Sequence, residues 1–207
     1  MQTADYPQLT VRSRAEWRSW LEANHDQAAG VWLVRFKKGK GPHVAYDDLV
    51  DDAIAFGWID SQPRSLDEKR SQLRITPRKR GSRWSQANKE RVARLRADGR
   101  MSAAGEAAVD RSKRDGTWDA LNHVEALEEP DDLRRALDAQ SIARENWDAF
   151  PPSTRRAILE WILAAKRPET RTTRIADIVE KASLNIRANQ WRQATSGRGG
   201  DRPQRSP

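Results

Sequence analysis

The chain of 207 residues contains no cysteine. Disulfides, zinc thiolates and cysteine nucleophiles are therefore excluded, and a reducing compartment fits. Histidine is nearly as scarce, with His25, His43 and His123 far apart and none part of a local carboxylate motif. No metal site and no cofactor are expected from such a distribution. Long apolar runs are also missing. The longest, such as "AIAFGWI" at 53–59, fall far below the roughly 20 residues that a membrane helix needs. The opening "MQTADYPQLTVRSRAEW" has no basic stretch followed by an apolar one. Together these absences lead to the expectation of a cytoplasmic protein without membrane insertion.

What the chain has in quantity is charge and tryptophan. Apolar residues are 37% and charged residues 33%, the net charge is +8, and there are 9 tryptophans. The length suits one domain, or one domain with an appendage, able to bury a core without staples. The charge is unevenly placed. Residues 64–100 hold 13 basic and 4 acidic residues, whereas 101–150 hold 6 and 12.

Hydrophobic periodicity marks the elements. "SRAEWRSWLEAN" at 13–24 reads as a helix, with Ser13 as N-cap and Glu16 completing a capping box. "GVWLVRFKKG" at 30–39 is a strand between two glycines. "VAYDDLVDDAIAFG" at 44–57 is a helix with Tyr46, Leu49, Val50, Ala53, Ile54 and Phe56 inside. Its outer face is Asp47, Asp48, Asp51 and Asp52, and Gly57 closes it. "WIDSQPRSL" and "SQLRITPR" form a hairpin over 58–78, with "DEKR" as the turn. Helices follow at 85–99, from Ser102 to about Gly116, and at 128–139, 141–150, 153–167 and 168–184. Pro168 belongs in the first turn of the last. The fold class is α+β: a small, mostly antiparallel three-stranded sheet packed with helices, then a helical C-terminal part. The domain expectation is a mixed domain over 1–125, a helical subdomain over 126–186 and a disordered basic tail over 187–207.

The segment 57–91 concentrates chemistry. Trp58, Asp60 and Gln62 alternate along the first strand, and Arg74, Thr76 and Arg78 along the second. If the register joins these faces, an acid, an amide and guanidiniums surround an indole. Trp84, Ser85 and Asn88 then open a helix whose N-terminus favours anions. Such a wall could hold a planar or anionic small molecule. The plainer reading makes Trp58 and Trp84 core anchors and Asp60 an ordinary ion-pair partner. A third reading takes the basic run, Lys79, Arg80 and Arg83 included, as a track for a nucleic-acid backbone. Against it stands neutralisation by the acidic 101–150 segment. The two last helices, joined by "AKRPETR" at 165–171, have the outline of a helix-turn-helix, although packing on the rest of the fold explains them too.

Three ordered blocks carry a resemblance. "GVWLVRFKK", the run "FGWIDSQPRSLDEKRSQLRITPRKRGSRWSQANKERVARLRADGRMSAAG" and "RRAILEWILAAKRPETRTTRIADIVE" together resemble the bacterial YdeI/OmpD-associated family, also called the bacteriocin-protection family, over about residues 12–185. The resemblance implies antimicrobial resistance: a protective protein acting against bacteriocins or cationic peptides. It singles out Trp58, Asp60, Thr76, Arg78, Trp84, Ser85, Asn88, Lys166, Arg167 and Glu169, to which strand alternation adds Gln62. The expectation is ligand binding, of a small molecule or peptide toxin, in a pocket lined by Trp, Asp and Arg. Lys166, Arg167 and Glu169 would close it. The alternatives are a nucleic-acid-binding module, or an enzyme that modifies the toxin with Asp60 as acid or base.

Overall fold

A computed structural model of the chain describes residues 6–189. Most of the expected basic tail, from residue 190 on, lies outside the described residues. The chain divides into two compact units at Asn122/His123. Among the described residues no helix is long and apolar enough to cross a membrane.

The first unit holds a sheet of four strands, not three. These are β1 (Gln8–Thr10), β2 (Val31–Phe36), β3 (Trp58–Ser65) and β4 (Arg70–Pro77), in the order β1-β2-β4-β3. The extra strand is β1, parallel to β2, with Leu9 opposite Leu33. Its side chains are too polar to show an apolar alternation, and backbone bonds anchor it at both ends. Trp32 N–H donates to Pro7 O (2.9 Å) and Val11 N–H to Val34 O (3.0 Å). The hairpin forms as its sequence requires. The Asp67 carboxylate accepts from the backbone N–H groups of Lys69 (2.9 Å) and Arg70 (2.6 Å), an Asx-type closure of the turn.

Helices α1 (Arg14–Asn24), α2 (Tyr46–Ala55), α3 (Gln86–Ala97) and α4 (Ala103–Arg114) complete this unit. Side-chain caps start three of them. Ser13, Ser85 and Ser102 hydroxyls accept from Glu16, Asn88 and Gly105 N–H respectively. Glu16 returns its carboxylate to Arg12 N–H (2.7 Å), one residue before the cap itself. The core gathers Trp17, Leu21, Val31, Leu33, Leu49, Ile54, Trp58, Leu73, Ile75, Trp84, Val92 and Leu95. Each fully buried indole removes on the order of 200 Å² from water, an upper figure of about 5 kcal/mol.

Helix α2 corrects the expected pattern. Asp51 and Asp52 do not face solvent; both are buried, Asp52 completely. Tyr46, expected inside, is 40% exposed. The reason is ion pairing across the fold. Asp52 accepts from Arg14 Nε (2.8 Å) and Nη2 (3.0 Å), from Arg100 Nη2 (2.8 Å) and from Arg18 Nη1 (3.5 Å). Asp51 accepts from Arg91 (2.6 Å) and Arg94 (2.9 Å). Burial pushes the Asp52 carboxyl up, against the pull of Arg14 and Arg18. The acidic helix is thus gripped between α1 and the basic α3.

The second unit is helical: α5 (Asn122–Glu125), which begins at the division, then α6 (Asp131–Asp138), α7 (Ser141–Ala149), α8 (Pro152–Leu163) and α9 (Pro168–Ser183). Pro168 occupies the first turn of α9 as expected. Leu133, Leu137, Trp147, Ile158, Leu159, Ile162, Ile178 and Val179 are buried. Glu129 accepts from Trp147 Nε1 (2.7 Å) and from both terminal nitrogens of Arg144 (2.7 and 2.8 Å). Arg144 first, with Trp147 helping, holds the Glu129 carboxyl below its usual range.

Candidate functional site

The register decides which signature residues can meet. Asp60 stands opposite Ile75, Ile59 opposite Thr76 and Trp58 opposite Pro77, with a bulge between Asp60 and Pro63. Directly opposed residues share a face. Trp58 and Asp60 therefore share the core face with Ile75, while Thr76 sits on the other face with Ile59. Arg74 also leaves the expected group. It stands opposite Trp32 in β2, and its Nε donates to Ser61 Oγ (2.9 Å) across the bulge. Gln62 falls within the bulge and is exposed. The joined faces of the sequence reading do not form, because the bulge breaks the alternation that would align them.

Trp58 is 0% exposed, and its indole N–H donates to His25 O (3.0 Å). Its ring meets Trp20 edge-on at 5.7 Å. This is a satisfied core tryptophan. Ser85 is accounted for as the N-cap of α3, with Asn88 as the residue whose N–H it accepts (3.4 Å).

Arg78 and Trp84 are different. Arg78 is 5% exposed and Trp84 is 0% exposed. The guanidinium carbon lies 3.5 Å from the centroid of the Trp84 ring, a cation–π contact in a desolvated setting. Arg78 follows the end of β4; its N–H donates to Gly57 O (3.0 Å) and its carbonyl accepts from Arg111 Nη2 (3.1 Å). One edge of the guanidinium is used, with Nη1 donating to Ser82 Oγ (3.3 Å) and Arg83 O (3.2 Å). The other edge, Nε and Nη2, is buried with no hydrogen-bond partner, and so is Trp84 Nε1. Burial pulls the Arg78 guanidinium down to about 9, and the nearby charge of Asp60 works in the opposite sense.

Asp60 is half-buried and accepts from the Tyr46 hydroxyl (2.5 Å). Burial first, then this bond, pushes the Tyr46 phenol up to about 12. Arg35 lies 5.9 Å from the Tyr46 ring centroid and donates to Val44 O. Two pairs therefore stand out, the half-exposed Tyr46–Asp60 and the buried Arg78–Trp84, and the charge of Asp60 acts on Arg78. Tyr46, the partner of Asp60, is not among the sequence candidates, because its place in the apolar stripe of α2 marks it as core. Three surface hollows of this unit lie elsewhere. They sit beside Phe36 and the hairpin turn, beside Arg91 and Arg94, and between Arg14, Arg18 and Arg100.

Lys166, Arg167 and Glu169 belong to the second unit, all exposed around the start of α9. Their neighbours in the same turn carry structural bonds. Arg171 pairs with Asp132 through Nε (2.6 Å) and Nη2 (2.8 Å), and Arg174 donates to Trp161 O while its guanidinium covers that ring.

The basic segment is neutralised in part, and α2 takes a larger share than the acids of 101–150 on which the sequence reading relied. Arg91, Arg94 and Arg100 pair with Asp47, Asp51 and Asp52. Arg96, with Glu106, and Lys89, with Asp119, find acids in the later segment.

Residues 126–185 match the family model "Bacteriocin-protection, YdeI or OmpD-Associated". The match lies in the helical second unit and includes Lys166, Arg167 and Glu169. Residues 9–108, which hold the remaining signature positions, match a different model, a domain of unknown function (DUF8412). The bacteriocin-protection match thus covers the last of the three resembling blocks. No curated protein and no solved structure matches the chain.

Proposed function

We propose that the protein is a cytoplasmic protective protein that binds a small molecule or antimicrobial peptide at the Tyr46–Asp60–Arg78–Trp84 cluster. The bacteriocin-protection match in the second unit supports the protective theme. The observation that carries the binding site is the buried, unpartnered edge of Arg78 beside an unpartnered Trp84 N–H. An orphaned buried donor costs about 1–3 kcal/mol, and more when charged, so a fold tolerates it where a ligand meets it. Asp60 and Tyr46 form the solvent side of the site and orient polar groups of the incoming molecule.

The test is thermal unfolding of wild type and Asp60→Asn against a panel of antibiotics and bacteriocin-like peptides. A true ligand at a hundred times its Kd stabilises by about 2.7 kcal/mol, a rise of roughly 5–10 °C for a chain of this size. Asp60→Asn is expected to keep its unliganded Tm within a few degrees and to change the affinity about tenfold, since it alters the charge and the polar contacts beside Arg78. A broad panel that shifts nothing sinks the proposal.

A further inference from the structure

The unpartnered edge of Arg78 has a definite shape. In a guanidinium, Nε and one terminal nitrogen point two N–H bonds in parallel, a fork that matches the two oxygens of a carboxylate. This chain uses that fork repeatedly. Arg14 gives Nε and Nη2 to Asp52, Arg96 to Glu106, Arg144 to Asp148 and Arg171 to Asp132. Arg78 is buried far more deeply than any of these, and its fork is vacant. Asp60, the acid whose charge acts on Arg78, is committed to the Tyr46 hydroxyl and makes no ion pair with it.

We infer that the fork of Arg78 and the Nε1–H of Trp84 together receive a carboxylate of the bound molecule. The inference rests on the reading of this cluster as a binding site and adds the chemical class of the ligand. Charge favours an anion. Arg78 and Arg111, whose Nη2 lies on the Arg78 carbonyl, outnumber Asp60, and Lys89 and Lys113 lie over Trp118, which packs on Trp84. The planar fork fits the two oxygens of a carboxylate, and phosphate serves as the competing anion. Geometry agrees, because the three vacant donors are N–H groups with no acceptor among them, so the ligand must bring the acceptors. The carboxylate can belong to a free small acid or to the C-terminus of a peptide, and both present the same two oxygens.

Isothermal titration of the full chain at pH 7 tests this with matched pairs. Benzoate against benzamide probes the small-acid source. N-acetyl-phenylalanine against its amide probes the peptide terminus, and inorganic phosphate is the third arm. Wild type is expected to bind at least one acid about tenfold or more tightly than its amide, the preference that charge-assisted bonds to a buried fork supply. Arg78→Lys keeps the charge but loses the fork, and is expected to bring the acid-to-amide ratio close to one. Trp84→Phe keeps the stacking face, loses one donor, and should narrow the ratio in part. A ¹⁵N spectrum of wild type supplies a readout that needs no variant, since the Arg78 Nε–H resonance should move on adding the acid and stay on adding the amide. Equal binding of acid and amide, a preference that survives in a folded Arg78→Lys, or phosphate bound more tightly than both acids overturns the carboxylate assignment and leaves the binding site standing. If neither member of either pair binds and the Nε–H resonance never moves, the assignment falls. A shift in the broader panel of the preceding section then separates that failure from failure of the site itself.

Discussion

Asp52 has no solvent exposure and three guanidiniums within reach, whereas Glu106 meets Arg96 at the surface. The two acids should therefore respond very differently to loss of charge. Asp52→Asn removes the shared anion of Arg14, Arg18 and Arg100, which stay about a third exposed, with Arg14 still on Asp48 and Arg18 on Glu22, and is expected to cost about 1–3 kcal/mol. Glu106→Gln opens a pair more than a third exposed on both sides, where screening holds the loss below about 1 kcal/mol. Urea denaturation of the two variants checks this, and equal midpoints would contradict the buried-clamp account. The same residues show where sequence spacing fails. A run of four aspartates on a helix reads as a solvated face, because charge is the usual mark of solvent. The arginines that reverse that reading lie 34 to 48 residues away in the chain, beyond anything periodicity reports. The sequence singles out Arg78 as a candidate, but its unpartnered edge is not legible there. Whether a guanidinium has an acid opposite depends on the register of β3 and β4 and on the bulge at 60–63.

At the scale of elements, the helices and the hairpin follow from caps, turn chemistry and period, as the serine caps of α1, α3 and α4 show. The parallel strand β1 does not follow, because three residues with one half-buried side chain carry no pattern of their own. They pair because β2 offers them an edge. The junction of α2 and β3 depends on another close approach. Gly57 turns at φ +78 and lies beside α4, and a Cβ on Gly105 would meet Ala55 O at 2.2 Å. Ser102 reinforces the same contact, with its N–H (3.0 Å) and hydroxyl (2.7 Å) both donating to Ala55 O. Gly105→Ala, normally a helix-stabilising change, must here push α4 off α2, and the overpacking should cost about 1–3 kcal/mol net of the helix propensity gained. The sign is the check. A Tm equal to or above wild type would mean that α4 is not seated on the α2 C-terminus. Since Gly57 leads directly into Trp58 and its carbonyl holds Arg78 N–H, the variant should also weaken ligand binding at Arg78.

For the molecule as a whole, net charge is a poor guide to partners. A sum of +8 with most of the excess in 64–100 has the look of a nucleic-acid binder. Pair by pair, six of the 13 basic residues of that segment are held on acids. Arg91, Arg94, Arg96 and Arg100 are fixed on acids, Arg70 on Asp67 and Lys89 on Asp119, Arg64 lies flat on Trp32 at 3.8 Å, and Arg78 is buried. A phosphate backbone must be met by cations free to exchange their counterions, and each such contact adds about 0.9 to the slope of log K on log salt. A side chain already neutralised by a carboxylate in the fold releases no counterion and adds nothing. Among the described residues of 64–100, Lys79 and Arg80 are the exposed basic pair of the β4–α3 loop. Fluorescence anisotropy with duplex DNA and with single-stranded RNA between 50 and 200 mM salt should therefore give a slope shallower than about −3 and no saturable binding at micromolar protein near physiological salt. Reversal of Lys79 and Arg80 to Glu should remove most of what slope there is. A slope near −6 or steeper, carried by the paired arginines of α3, would require those ion pairs to open on contact with nucleic acid. It would restore the basic segment as a binding surface and take α2 with it, since Asp51 and Asp52 would then be buried without their partners.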